Sequence, residues 1–232
     1  MPKKNPLICA IDTPDVKQAA SLASTLHGAI GHAKLGLEFF SAQGPQGIKK
    51  VAASGLPIFL DLKFHDIPNT VAGAVRSAAS LGVSMLTIHT SGGSRMMKAA
   101  AEAASGAKKK PIVLGVTVLT SMDEADLKEC GVSRKVKAQV LALAELALKS
   151  GIDGLVCSAH EVAALKKEFG KELKLVVPGI RPAGSSKGDQ RRVMTPAEAI
   201  EAGADYLVIG RPITEQASPK KAAQAILKEI NA

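Results

Sequence analysis

With 232 residues, 46% of them apolar, the chain is long enough to bury one sizeable core, and two small domains are the less favoured arrangement. A formal charge of +9 raises the question of nucleic acid, yet with no Trp, one Tyr and five Phe the stacking surface that usually accompanies a basic face is missing. Cys9, Cys130 and Cys157 are far apart, with neither CxxC nor Cys/His metal spacing, so they read as reduced thiols, two of them in strands, and imply no structural zinc.

The amino terminus, Met1-Pro2-Lys3-Lys4-Asn5, leads into only about six apolar residues before Asp12, too few for a signal peptide or a membrane span. A cytoplasmic protein without a membrane partner is expected. Short β-rich runs then recur at Leu7 to Ile11, His32 to Gly36, Pro57 to Lys63, Met85 to His89, Ile112 to Val118, Gly154 to Ser158, Leu173 to Pro178 and Tyr206 to Gly210. Between them Pro14 to Leu26, Asn69 to Leu81, Arg134 to Lys149 and Thr195 to Ala202 carry apolar residues at helical spacing. Pro14 and Pro196 each follow a Thr, the pattern of a cap and first helical position. Lysine pairs such as Lys49-Lys50, Lys166-Lys167 and Lys220-Lys221 fall at helix ends, where cations suit the helix dipole or stay solvated.

A weak repeat runs through the chain. Gly82-Val83-Ser84, Gly151-Ile152-Asp153 and Gly203-Ala204-Asp205 each end a helix and open an apolar strand, as stacked parallel βα units do. Eight such strands, and no GxGxxG opening the first helix, favour an α/β chain folded as one (β/α)8 TIM barrel over residues 1–232 rather than an open doubly wound sheet.

In such a barrel the active site forms where the strands end. Those ends carry charged or polar groups: Asp12 after the first strand, Lys34 on the second, His89 on the fourth, Thr120 and Ser121 after the fifth, Arg181 after the seventh and Arg211 after the eighth. The richest is the third, Asp61-Leu62-Lys63-Phe64-His65-Asp66-Ile67-Pro68-Asn69-Thr70. Strand alternation puts Asp61 and Lys63 on one face about 7 Å apart, within reach of the lysine stem. A cation between two acids is poor core material and good material for moving a proton. Gly179 and Gly210 permit close backbone approach and Arg181 or Arg211 offers a guanidinium, so the last two strand ends suit a phosphate. The small, polar stretch 183–192 between them is expected to close over the ligand.

These residues resemble the orotidine 5′-phosphate decarboxylase family. Besides the segment from Asp61 to Thr70, the resemblance is carried by Ala10-Ile11-Asp12, Lys34-Leu35-Gly36-Leu37-Glu38 and Val116-Thr117-Val118-Leu119-Thr120-Ser121. Pro178-Gly179-Ile180-Arg181-Pro182, Gly188-Asp189-Gln190-Arg191-Arg192 and Ile209-Gly210-Arg211-Pro212-Ile213-Thr214 complete it, in the family's order. It implies decarboxylation of orotidine 5′-monophosphate to UMP and CO2 with no cofactor and no metal. Lys63 would stabilise the charge at C6 and then protonate it; Asp61 would hold Lys63, and Lys34 would tie Asp61 from the other side. Asp66, with Ile67 and Thr70 beside it, would reach into the neighbouring subunit's site, making a homodimer with shared sites. Asp12 and Lys34 would bind ribose hydroxyls, and Thr120 and Ser121 the pyrimidine edge. Gln190 would bridge base and phosphate, and Gly210, Arg211 and Arg181 would hold the phosphate.

His65 reads as a structural contact; His89 either lines the site or is a satisfied core histidine. Tyr206 starts the eighth strand at the opposite rim, where packing is expected. One alternative on the same barrel is a magnesium-dependent sugar-phosphate decarboxylase or aldolase, which would place a carboxylate where this chain has Lys34; two lysines beside Asp61 disfavour a divalent cation. A non-catalytic basic nucleic-acid-binding barrel is the other, and it lacks both stacking aromatics and a continuous basic stripe.

Overall fold

The computed structural model of the chain describes residues 5–182 and 194–231. Parallel strands β1 (Leu7–Ala10), β2 (His32–Gly36), β3 (Ile58–Phe64), β4 (Met85–His89), β5 (Ile112–Val116), β6 (Gly154–Val156), β7 (Lys174–Val177) and β8 (Tyr206–Ile209) close into a barrel in chain order, β8 pairing back onto β1. The helices outside it are α1 (Val16–Leu26), α2 (Leu37–Ala52), α3 (Pro68–Ser80), α4 (Gly93–Ser105), α5 (Glu124–Glu129), α6 (Val136–Lys149), α7 (Val162–Phe169), α8 (Pro196–Glu201), α9 (Arg211–Thr214) and α10 (Pro219–Ile230). The expected (β/α)8 barrel is the observed one. Among the described residues no helix is long and apolar enough to cross a membrane.

The strands read as continuous apolar runs because both of their faces are buried. Along β1, Leu7 and Cys9 pack outward in the layer between strands and helices, while Ile8 and Ala10 face the barrel interior. Phe59, Met85, Leu114, Val176, Tyr206 and Val208 complete the interior cluster. Tyr206 packs edge-on against His32, ring centroids 5.7 Å apart, in the packing role expected of it. β5, β6 and β7 end one or two residues short of the expected runs, because at the carboxyl rim the chain leaves the ladder; Val118 and Pro178 line the cavity there instead. Cys157 consequently lies just past β6, not within it. Both it and Cys9 are buried free thiols, and burial, then the nearby Asp12 carboxylate, pushes Cys9 up to about 12, which leaves it protonated and inert.

The three-residue repeat has a physical purpose. Gly82, Gly151 and Gly203 sit at φ 77°, 78° and 109°, the left-handed region that ends a helix without a Cβ penalty. Two residues later a polar side chain stitches the preceding strand: Ser84 Oγ donates to the Ile58 carbonyl at 2.8 Å, Asp153 accepts from the Val113 N–H at 2.9 Å, and Asp205 accepts from the Leu175 N–H at 2.8 Å. Lys110 and Lys166 pair with the two aspartates. Asp205→Ala would leave the N–H of buried Leu175 without its acceptor, so we expect a loss of about 1–3 kcal/mol, seen as a lower urea midpoint at unchanged m-value.

One expectation about helix ends needs correction. The cap of α1 is Asp15, whose Oδ1 accepts from the Lys17 and Gln18 N–H groups, so Pro14 precedes the helix. Thr13 turns back instead, accepting from the Asp15 N–H and donating to Gln18 Oε1. At α8 the expected cap is found: Thr195 and Glu198 form a reciprocal capping box with Pro196 in the first turn. Lys220 and Lys221 lie in the first turn of α10, the wrong end for a favourable dipole, and remain exposed to solvent.

Candidate active site

The carboxyl rim of the barrel holds a cavity of about 720 Å3. Its apolar floor is Val116 together with Ala10, Phe59, Val156 and Val208 from the upper end of the interior cluster. Above that floor the strands deliver Asp12, Lys34, Asp61, Lys63, Thr120, Arg181, Gly210 and Arg211 to one space.

At its centre Asp61 divides its carboxylate between two lysines. Lys63 Nζ donates to Oδ1 at 2.9 Å, and Lys34 Nζ lies 3.6 Å from Oδ2. Lys34 also reaches Asp12 Oδ1 at 3.5 Å, so charges alternate from Asp12 through Lys34 and Asp61 to Lys63. Asp61 and Lys34 are only 14% and 12% exposed, which keeps solvent from screening the pair, whereas Asp12 is 61% exposed. Burial alone would raise the Asp61 carboxyl, but Lys34 and Lys63, with hydrogen bonds from Lys63 and Thr87, outweigh it and hold the group below the usual carboxylate range.

The third strand is not a regular one. The step from Leu60 to Phe64 is matched by the step from Leu86 to Ile88 on β4, so β3 carries extra residues opposite Thr87. Among the described residues Lys63 is the one non-glycine at positive φ, 51°. That conformation costs roughly 1–3 kcal/mol and persists only where its surroundings impose it. Here the Lys63 N–H donates to Thr87 Oγ1 at 2.9 Å, and Thr87 Oγ1 donates to Asp61 Oδ1 at 2.9 Å.

On the opposite side of the cavity, Gly179 takes φ 75° and Gly210 packs its backbone against β1, where a Cβ would sit 3.4 Å from that of Ala10. Arg181 Nη1 donates to the Ile180 carbonyl at 3.0 Å. Burial, then the cation of Arg211, lowers the Arg181 pKa, so two guanidinium groups face one corner of the cavity. An anion bound there would relieve their repulsion.

Not every expected residue is at the cavity. Ser121 is exposed beside Thr120 and is not among its lining residues. Asp66, Ile67 and Thr70 are exposed at the start of α3, also outside the lining; Asp66 Oδ1 accepts from the Ile67 N–H at 2.6 Å. Gln190, Arg191, Arg192 and the rest of the expected lid lie outside the described residues. His65 and His89 stack at a tilt, ring centroids 5.4 Å apart, and neither lines the cavity. Burial, then His65 and Lys63, lowers His89, favouring a neutral imidazole. No motif marks Thr87; its signal in the sequence is a lone hydroxyl at an inward-facing position of β4 between Met85 and His89. Gln18, Thr13 and Glu215 also line the cavity and had no motif to mark them.

Residues 5–226 match the model of the "Orotidine 5'-phosphate decarboxylase / HUMPS family". A relative from Wolbachia pipientis subsp. Culex pipiens, named orotidine 5′-phosphate decarboxylase, is 52% identical over 226 residues, spanning 97% of this chain and 99% of its own. One of the same name from Alcanivorax borkumensis is 50% identical over 97% of this chain and 98% of its own. The crystal structure of orotidine 5′-phosphate decarboxylase from Lactobacillus acidophilus superposes with a TM-score of 0.87 at 40% identity, covering 98% of this chain and all of that one.

Proposed function

The chain belongs to the orotidine 5′-phosphate decarboxylase / HUMPS family, and from that premise we propose that it decarboxylates orotidine 5′-monophosphate to UMP and CO2, the closing step of UMP synthesis. The observation that carries this reading is the alternating Asp12, Lys34, Asp61, Lys63 array facing a two-arginine corner across one cavity.

The phosphate sits against Arg181, Arg211 and the Gly210 backbone, Asp12 and Lys34 take the ribose hydroxyls, and the pyrimidine edge meets Thr120. Gln190 joins base to phosphate. This places C6 beside the Lys63 ammonium. As the C6–carboxylate bond breaks, its electron pair remains on C6, in an orbital that the ring π system cannot take up. A cation already fixed in a poorly solvated site stabilises that pair without reorganising. The same ammonium transfers its proton to C6, giving UMP, and the resulting amine recovers a proton from water. Asp61, held ionised, prevents Lys63 from swinging away, and Lys34 offsets the cost of burying Asp61. Binding energy gathered at the phosphate keeps the reacting end in register.

A homodimer with shared sites completes the array: Asp66, Ile67 and Thr70 of one protomer enter the other's cavity. Ile67 and Leu37, 67% and 57% exposed at neighbouring strand ends, support a covered rim. The chain acts as one catalytic domain in the cytoplasm, without cofactor or metal. The magnesium-dependent alternative is disfavoured by charge, since Lys34 and Lys63 already neutralise the carboxylate a divalent cation would need.

Loss of orotidine 5′-monophosphate absorbance, followed with purified protein in excess EDTA, tests the reading. Rapid decay with UMP as product is expected. No decay in EDTA, with activity on a ketose or keto-sugar phosphate once magnesium is restored, would transfer the chain to the alternative chemistry.

A further inference from the structure

We propose that Thr87 is a positioning residue of the decarboxylation site: its hydroxyl holds the Lys63 backbone in its left-handed conformation and locks the Asp61 carboxylate that orients the Lys63 ammonium. This inference rests on the decarboxylase reading for its kinetic consequence, and on geometry alone for the contact.

Thr87 is fully buried on the inward face of β4, a polar side chain one step above Met85 of the apolar interior cluster. A hydroxyl has one proton to give, and here it goes to Asp61 Oδ1 at 2.9 Å, while the oxygen accepts the Lys63 N–H at 2.9 Å. Asp61 Oδ1 is also the oxygen that accepts Lys63 Nζ. One atom of Thr87 therefore joins both ends of the same lysine, its backbone directly and its ammonium through Asp61. Without it, the N–H would be left unsatisfied beside a bulge, and the strained φ of Lys63 would lose the contact that fixes it. Asp61 is faced by Lys34 from β2, Lys63 from its own strand and, farther off, His89 from β4, with Asp12 from the end of β1 behind Lys34. None of these supplies the Lys63 N–H with an acceptor.

Thr87→Val keeps the shape and removes the hydroxyl. In it kcat should fall about 10- to 100-fold, with UMP affinity unchanged. Asp61 loses a hydrogen bond to its charged form, so its pKa rises and the acidic limb of the kcat profile should begin at higher pH than in the parent. Thr87→Ser, which restores the hydroxyl without the methyl, should recover most of kcat. Wild-type kcat in Thr87→Val, or equal losses in the Val and Ser variants, would overturn the proposal in favour of packing. If Thr87→Val fails to fold, Thr87→Cys replaces it, a thiol being a weak donor; Ser above Cys supports the role and equality removes it. Should the parent protein not decarboxylate orotidine 5′-monophosphate, that reading falls by itself. A carboxyl NMR titration of Asp61 then still decides for Thr87: a raised pKa in Thr87→Val supports the contact, and an unchanged one refutes it.

Discussion

Lys63→Ala should lower kcat for orotidine 5′-monophosphate by about ten-thousand-fold or more, because it removes a charge stabiliser and a proton donor at once, while UMP binding stays measurable. The binding arm follows from the layout of the cavity: the arginine corner, Gly210 and the Asp12–Lys34 pair lie apart from Lys63 and keep their own partners. Product binding should therefore survive when the chemical step does not. Removing one partner of a poorly solvated pair also leaves Asp61 with less compensation, so its carboxyl should rise toward the ordinary range, opposed by Lys34 and the Thr87 hydroxyl. Because Asp61 now titrates low, the stability it contributes is present above its unfolded-state pKa and lost only as pH falls through the depressed folded value. In Lys63→Ala the folded value moves closer to the unfolded one, so this contribution should be smaller and its loss complete at a higher pH. Lys63→Arg separates the two roles, since a guanidinium keeps the charge but does not give up its proton near neutral pH. Turnover in Lys63→Arg close to the parent's would show that charge alone suffices; near-normal turnover in Lys63→Ala would end the proton-donor assignment altogether.

The parts of this site that follow strand alternation could be read before any coordinates. Asp61 and Lys63 share a face, Lys34 stands on the neighbouring strand, and Gly82, Gly151 and Gly203 mark where helices hand over to strands. Such features depend on local periodicity and on glycine's access to positive φ, and both are written in the chain. The extra residues in β3, the φ of Lys63 and the grip of Thr87 depend on how β3 registers against β4, which no window of sequence contains. The cap of α1 shows the same limit at smaller scale. Thr13-Pro14 looked like a helix start, but Asp15 has the better acceptor geometry for two N–H groups, and Thr13 is drawn toward Gln18 at the cavity. Asp66 is the sharpest case. The resemblance gives it to a neighbouring subunit's site, and within this chain it is exposed at the head of α3, so the sequence of one chain does not show what it meets.

That outward position yields the most demanding prediction. Lys63→Ala and Asp66→Ala should each be nearly inactive alone, for different reasons: the first lacks the donor within its own barrel, the second lacks the acid it lends to its partner. In a mixed dimer the Asp66→Ala barrel keeps its own Lys63 and receives an intact Asp66 from the Lys63→Ala protomer, restoring one complete site. The other site carries both defects. Random reassortment makes half of the dimers mixed, with one working site in two, so about a quarter of the parent activity should return in a two-fold symmetric dimer. The exposed Ile67 beside Asp66 and Leu37 on the adjoining strand end give such a pairing an apolar margin, as contact between copies requires. Carrying distinct tags on the two variants allows the mixed species to be isolated and its rate compared with either parent variant. If purified mixed dimers remain as inactive as their parents, Asp66 does not act across an interface, and the array ends at Lys63 within each barrel.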